Sequence, residues 1–322
     1  MTIFNTNRLH PYQGYDELPK ILQFVGECNV LADYRGCLHP GDICHFLSNT
    51  LRGRDLEKQF YIYEDADGQV LGLVLLYPVR YNGFDVLVHP HYRGGELESA
   101  LIAWGEQQTW AFLTLANSEA TWIGTDVMDC DTSRRNILKA QDYVPPDEPA
   151  FCYTTRSLLE AIPASILPHG FTMRSVAGED EAEAVQAVHA GSFGSMWQPG
   201  EYLNVMRTPG FHIDHELIVV APDGCFAAFL IYWIDPVSKS GLFEPVGCHQ
   251  DFQRLGLTRA LMYEGMRRMV AYGMTTAVVK HQPAQNNPAA AALYRSVGFS
   301  LRYTIADYRK QIDEPTSHGN VF

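Results

Sequence analysis

Apolar and polar positions change period several times along the chain, and the changes come in the same order twice. In the second half, "FTMRSV" (171–176) alternates as a short strand. "GEDEAEAVQAVHAGSF" (178–193) places acids in a first helical turn, ahead of apolar residues at helical spacing. "HELIVVAPDGCFAAFLIYWI" (215–234) reads as two strands about a Pro222-Asp223-Gly224 turn. "GLFEPVGC" (241–248) is a further strand, bulged or unpaired at Pro245, because proline has no N–H for the ladder. "LGLTRALMYEGMRRMVAYG" (255–273) is an amphipathic helix stopped by Gly273, and "TTAVVKH" (275–281) a buried strand. "NPAAAALYRSVG" (287–298) is a helix with Pro288 near its start and Gly298 at its end, and "FSLRYTIADYRK" (299–310) is the last strand.

The first half repeats that order. "QFYIYEDADGQVLGLVLLYPV" (59–79) is a hairpin turning at Asp67-Gly68, followed by a strand in "GFDVLVHP" and a helix in "LESALIAWGEQQTWAFL". A strand in "TWIGTDVM", a helix in "TSRRNILKAQDYV" and a closing strand in "AFCYTTR" complete it. A repeat at half the chain length means tandem domains, not a solenoid. The expected organisation is a mixed α/β (α+β) chain with domains at 1–158 and 170–310, a Pro-bearing linker at 159–169 and a flexible polar tail at 311–322.

Whole-chain figures narrow the function classes. At 322 residues the chain is long enough for two domains, each with its own core. A formal net charge of −13 offers no basic face to a nucleic acid, so none is expected as a partner, and a negative field suits a cationic small molecule. Seven scattered cysteines without a Cys-x-x-Cys pair fit reduced thiols in a cytoplasmic protein and give neither a disulfide framework nor a metal site. No apolar run approaches the ~18 residues of a membrane span, and no membrane partner is expected. The chain is expected to be a monomer or homodimer.

Two segments carry chemistry. In "HQDFQRLGLTRALM" (249–262) a glycine-bearing turn leads from a strand into a helix, where bare N–H groups and the helix dipole suit an anion such as a diphosphate. In "NPAAAALYRSVGF" (287–299) small alanines leave room beside a helix that carries Tyr294. Together, in this order, they resemble the acetyl-CoA signature of the GNAT acetyltransferase superfamily. Gln253, Gly256 and Thr258 stand in its Arg/Gln-x-x-Gly-x-Gly/Ala run, Asn287, Ala290 and Tyr294 in its Asn-x-x-Ala-x-x-x-Tyr run, and Gly298-Phe299 in its closing pair. Gln253 lacks the charge of arginine, and Thr258 is bulkier than the family's preference.

The resemblance covers roughly residues 171–308. It implies two GNAT-like domains, each a mixed, mostly antiparallel sheet that splays between two parallel central strands and is flanked by helices. It further implies acetyl-CoA as cosubstrate and an amine acceptor, here a small molecule. Amides around Val246 and Cys248 would hold the acyl carbonyl and pantetheine, and Arg254, Leu255, Gly256, Leu257 and Thr258 the diphosphate. Tyr294 would protonate the departing thiolate and Glu244 would take the acceptor's proton. Phe193, Trp197 and Tyr202 either line an acceptor pocket or cover the core. A non-catalytic acyl-CoA-binding scaffold and an acetyltransferase acting on peptides are the alternatives.

The first half departs at the positions that matter. In "HPHYRGGELESALI" (89–102), Glu96 stands for Gly256 and Glu98 for Thr258. Further on, Asp131 stands for Asn287, Leu138 for Tyr294 and Asp142 for Gly298. This half is therefore expected to have lost acetyl transfer.

Overall fold

The computed structural model describes residues 4–33, 38–50, 56–77, 82–195 and 197–312; the expected tail lies almost wholly outside them. The first half runs β1 (Leu9–Pro11), α1 (Leu18–Ala32), α2 (Pro40–Thr50), β2 (Phe60–Glu64), β3 (Val70–Tyr77), β4 (Gly83–Val88), α3 (Glu96–Leu115), β5 (Trp122–Met128), α4 (Thr132–Ala140) and β6 (Phe151–Ser157). The second repeats the series element for element: β7 (Thr172–Ser175), α5 (Ala182–Phe193), α6 (Glu201–Met206), β8 (Glu216–Val220), β9 (Phe226–Asp235), β10 (Ser240–Cys248), α7 (Leu257–Ala271), β11 (Thr276–His281), α8 (Pro288–Ser296) and β12 (Ser300–Gln311). The duplicated order read from the sequence is thus present, with a helix pair before each first hairpin.

The described strands form one sheet in the order β1-β2-β3-β4-β5-β12-β6-β11-β10-β9-β8-β7. The order is that of a pseudo-twofold about the central β12–β6 pair, and the closing strands are exchanged across it. β6 pairs with β11, Thr276 opposite Ser157 through His281 opposite Cys152. β12 pairs with β5, Ile305 opposite Met128 through Gln311 opposite Trp122. Each half therefore completes the other's sheet. Among the described residues only β4–β5 and β10–β11 are parallel, as the doubled fold requires.

Helices cover both faces, because each strand alternates apolar side chains to two cores. On one face of the second half, Met262, Met266 and Met269 of α7 pack on Leu217, Leu230 and Phe243; α3 packs likewise on Phe84 and Val86 in the first. On the other face Val185 and Val188 of α5 share a cluster with Cys44 of α2 and with Met128 and Ile305, so this core spans both halves. The approach is close. A β-carbon on Gly41 of α2 would stand 2.4 Å from that of Trp233, and one on Gly26 of α1 would stand 2.8 Å from the Asp235 carboxylate. The linker is strapped down as well, Arg267 donating to the Pro163 carbonyl at 2.7 Å and Ser165 to that of Ala260 at 2.7 Å.

Candidate active site

The turn after β10 leaves main-chain donors bare. His249 opens a 3-10 turn through Phe252, its ring accepting from the Asp251 N–H at 3.3 Å. Arg254 (φ 65°) and Gly256 (φ 79°) then adopt left-handed conformations, which glycine takes freely and arginine does not. Every helix leaves its first N–H groups unpartnered. Here the run is longer: among the described residues, the N–H groups of Arg254, Leu255, Gly256, Leu257, Thr258 and Arg259 have no acceptor. Gln253, Arg254 and Leu255 are exposed and Thr258 is half-buried, whereas Leu257 is buried and offers only its amide. With the dipole of α7 behind it, the turn can cradle a doubly charged anion.

Beside the turn the sheet opens. β10 and β11 pair from Ser240–Thr276 to Leu242–Val278 and then part. β10 continues to Cys248, its register against β9 broken between Phe243 and Val246, at the bulge expected around Pro245. The Trp233 indole N–H donates to the Glu244 carbonyl at 2.7 Å and holds the bulge in place. Beyond Leu242 the edge of β10 facing β11 has no ladder partner, so alternate donors in the stretch with Val246 and Cys248 turn toward the opening. Burial pushes the Cys248 thiol up to about 11, too high for a useful thiolate.

Glu244 lies near this opening, and its charge reaches the hydroxyl of Tyr294. Burial pushes the Glu244 carboxyl up to about 7; the Lys280 ammonium pulls it down and Asp42 adds to the rise. His45 stands 3.8 Å from its Oε1. Tyr294 is buried on α8, its ring 5.0 Å from that of His281. Burial first, and then the Glu244 charge, raise its hydroxyl, so it keeps its proton at neutral pH. Asn287 caps α8, accepting from the Ala290 N–H at 3.1 Å, and the Ala290 methyl packs on the core.

The first half builds the same corner and closes it. His89 accepts from the His91 N–H at 3.3 Å, and Gly94 (φ 73°) takes the left-handed place of Arg254. Asp131 caps α4 through the Arg134 N–H at 3.0 Å, Leu138 is buried where Tyr294 is, and Asp142 is left-handed like Gly298. Glu98, 1% exposed, folds back so that its carboxylate accepts the Gly94 N–H at 2.7 Å. Glu96 faces solvent instead. Arg134, in the place of Ala290, reaches between the parted strands and donates to the Val86 carbonyl of β4 and, at 3.2 Å, to Thr125 of β5. Glu98 stands 3.9 Å from the same guanidinium. Side chains of the chain itself thus fill both the anion cradle and the strand opening.

A cavity of about 1030 Å³ runs along the face that the two openings share, lined by α2, β4 and β5 of the first half and by β12, Glu244 and Lys280 of the second. Lys280 is paired with Asp42 of α2 at 2.6 Å. Phe193, Trp197 and Tyr202 do not line it, whereas Gln198 and Glu201 of the same stretch do. Tyr202 is buried because its hydroxyl donates to the buried Glu216 at 2.6 Å. Trp197 packs 5.4 Å from it, and Phe193 is 55% exposed. The reading of the sequence missed Asp42, His45, Asp85, Asp126 and Asp307, all on the wall. An aspartate inside "GFDVLV" and another inside "WIGTDVM" were the available signal, since a strand interior seldom carries one.

The comparisons agree with this geometry. Residues 182–299 match the profile of the acetyltransferase (GNAT) family. A GCN5-related N-acetyltransferase from Sphaerobacter thermophilus superposes with a TM-score of 0.63 at 20% identity, covering 96% of this chain and 97% of that one. A tandem GNAT protein from the clavulanic acid biosynthesis pathway gives 0.62 at 14% identity over 94% and 98%. An acetyltransferase of the GNAT family from Colwellia psychrerythraea gives 0.55 at 11% over 94% and 98%. No curated protein sequence matches the chain. Among the described residues no helix is long and apolar enough to cross a membrane. The second half thus carries the GNAT family's profile, and the chain as a whole has the fold of tandem GNAT structures.

Proposed function

We propose that the chain is an acetyl-CoA-dependent N-acetyltransferase whose second half alone performs the transfer, onto a primary amine of a small molecule. The carrying observation is the contrast between the corners. Six successive amides from Arg254 to Arg259 have no acceptor among the described residues in one, and Glu98 with Arg134 fills the other. The residues of the second half fit the cosubstrate: bare donors for the diphosphate, Ala290 where arginine would obstruct, and an unpaired strand edge for the pantetheine.

Within that site Glu244 takes a proton from the acceptor's ammonium, for which a pKa of about 7 is well matched. The freed amine forms the new C–N bond with the acyl carbon, donors on the edge of β10 hold the oxyanion, and the C–S bond then breaks. Tyr294, still protonated, supplies a proton to the departing sulfur. A cavity of about 1030 Å³ suits a small acceptor and has no room for a folded partner.

Calorimetric titration of acetyl-CoA, with thiol release on a panel of amines, tests the reading. Gly256→Glu sets a side chain into a left-handed position and a carboxylate beside the cradle. A carboxylate about 5 Å from one phosphate charge costs about 3 kcal/mol at an effective dielectric near 20, so affinity should fall by about a hundredfold or more. Undiminished binding by that variant overturns the assignment of the site. Tight binding with no turnover on any amine favours a scaffold instead.

A further inference from the structure

Phe84 of β4 packs under Gly105 of α3, and Phe243 of β10 packs in the same way under Gly265 of α7. The next residues, Asp85 and Glu244, are therefore counterparts, and both line the one cavity. The first half thus keeps a carboxylate at the position of the base, although Arg134 and Glu98 close its donor side. A base without a donor has no transfer to perform. A carboxylate set in a cavity can still hold a cation.

Its surroundings favour that role. Asp126 of β5 lies opposite Asp307 of β12 in the ladder, where like charges repel. The Asp126 carboxylate has no hydrogen bond or ion pair among the described residues, and what surface it retains faces the cavity. Nearby cations are committed elsewhere: Lys280 to Asp42 at 2.6 Å, Arg309 to Asp307 at 2.7 Å, and Arg134 to Val86, Thr125 and Glu98. Burial, then Asp85 and Asp307, push the Asp126 carboxyl up to about 8, against the pull of Lys280 and Arg134. Asp85 is raised too, by burial and by Asp42, with Arg134 and Lys280 opposing. A proton now relieves this repulsion, and an ammonium would relieve it with hydrogen bonds added. The oxygens of Asp85, Asp126 and Asp307 are not among the groups gathered within 4.8 Å of one another, as a metal ion would need. Phe46, Leu87 and Ile305 supply apolar wall for methylenes.

We propose that the acceptor is an aliphatic di- or polyamine, with its reacting nitrogen at Glu244 and a second ammonium held by Asp85 and Asp126. The proposal deepens the acetyl-transfer reading and rests on it. Thiol release is measured for α,ω-diamines and triamines of graded length against monoamines of equal length. The best diamine should exceed its monoamine in kcat/KM by at least about 30-fold, the scale of losing a buried, hydrogen-bonded charge partner. Asp126→Asn and, separately, Asp85→Asn should bring that ratio near one. Diamine binding without acetyl-CoA should release protons, read as a heat that depends on the buffer, and Asp126→Asn should lower the number released. Asp126→Asn removes a like-charge contact and should melt no lower than the parent, which guards against misfolding. Equal kcat/KM for mono- and diamines, a ratio unmoved in both variants, or displacement of the diamine by submillimolar Ca²⁺ or Mg²⁺ would overturn the proposal. Absence of turnover on every amine overturns acetyl transfer itself, while the binding heat still reports on the Asp85–Asp126 pocket.

Discussion

The pH dependence of turnover tests the assignment of Glu244 most directly. Burial and Asp42 raise its carboxyl from 4.5 to about 7 in spite of Lys280. At 1.36 kcal/mol per pH unit, ionising it in the folded protein costs about 3 kcal/mol more than in water. About half of the molecules therefore carry the base at pH 7 and about a tenth at pH 6. An ordinary glutamate would be fully ionised at both. The acceptor amine titrates far higher and adds at most a constant slope over pH 5–9. The logarithm of kcat/KM should accordingly lose one unit of slope as pH rises through about 7. Glu244→Gln should remove the break and lower kcat about 10²–10⁴-fold. The same substitution should stabilise. A carboxyl raised in the folded state contributes stability that is present below its unfolded pKa and lost as pH rises from about 4.5 to about 7. Glu244→Gln should therefore melt higher than the parent at pH 8 and about equally at pH 4.5. A parent profile without a break between pH 6 and 8, or a Glu244→Gln variant that melts normally and keeps turnover within tenfold, would falsify the role of base.

Tyr294→Phe should lower kcat by about 10²-fold while the calorimetric Kd for acetyl-CoA stays within twofold, since a proton donor to the leaving group acts on the transition state. A fall in affinity with kcat unchanged would make Tyr294 a packing residue. Glu98→Ala deletes the acceptor of the Gly94 N–H at 2.7 Å and takes away the carboxylate 3.9 Å from the buried Arg134 guanidinium, which keeps only its Val86 and Thr125 acceptors. It should cost about 2–4 kcal/mol in denaturant unfolding. It should not create a second acetyl-CoA site, because Arg134 still joins β4 to β5; a stoichiometry of two in calorimetry would refute that account.

What the sequence disclosed follows from what a local pattern encodes. The alternation of "GLFEPVGC" and its proline located both the strand and its bulge, and equivalent spacings aligned Asn287, Tyr294 and Gly298 with Asp131, Leu138 and Asp142 as the caps and left-handed turns do. Alternation specifies a face and not a neighbour. "AFCYTTR" would read the same beside either half's sheet, so nothing local revealed that β6 lies against β11. Arg134 looked like one of several polar residues on a short helix, because its burial is produced by β4 and β5, remote in sequence. Helices α1 and α2 were passed over. Leu18, Ile21, Val25 and Cys28 repeat at helical spacing and are buried, so the signal for α1 was available. The omission hid the wall that brings Asp42 and His45 to Glu244.

Strand exchange explains why a half whose corner is filled by Glu98 and Arg134 persists as folded structure. A unit that had lost acetyl transfer in a chain of independent domains could be deleted with little effect on its neighbour. Here deletion of residues 1–158 would remove β6 and strip β11 of its partner from Thr276 to His281. A bare edge would be left on β11, the strand that carries Lys280. It would also remove α2, which approaches β9 so closely at Gly41 that no side chain fits, and which carries the Asp42 partner of Lys280. Lys280 would then lose its counter-charge beside Glu244, and the balance that holds this carboxyl near 7 would shift. The upstream half is thus bound to the downstream chemistry through a strand, a helix and a charge, none of which requires it to bind acetyl-CoA. Its own opening, closed on one side by Arg134, remains as the far wall of the shared cavity.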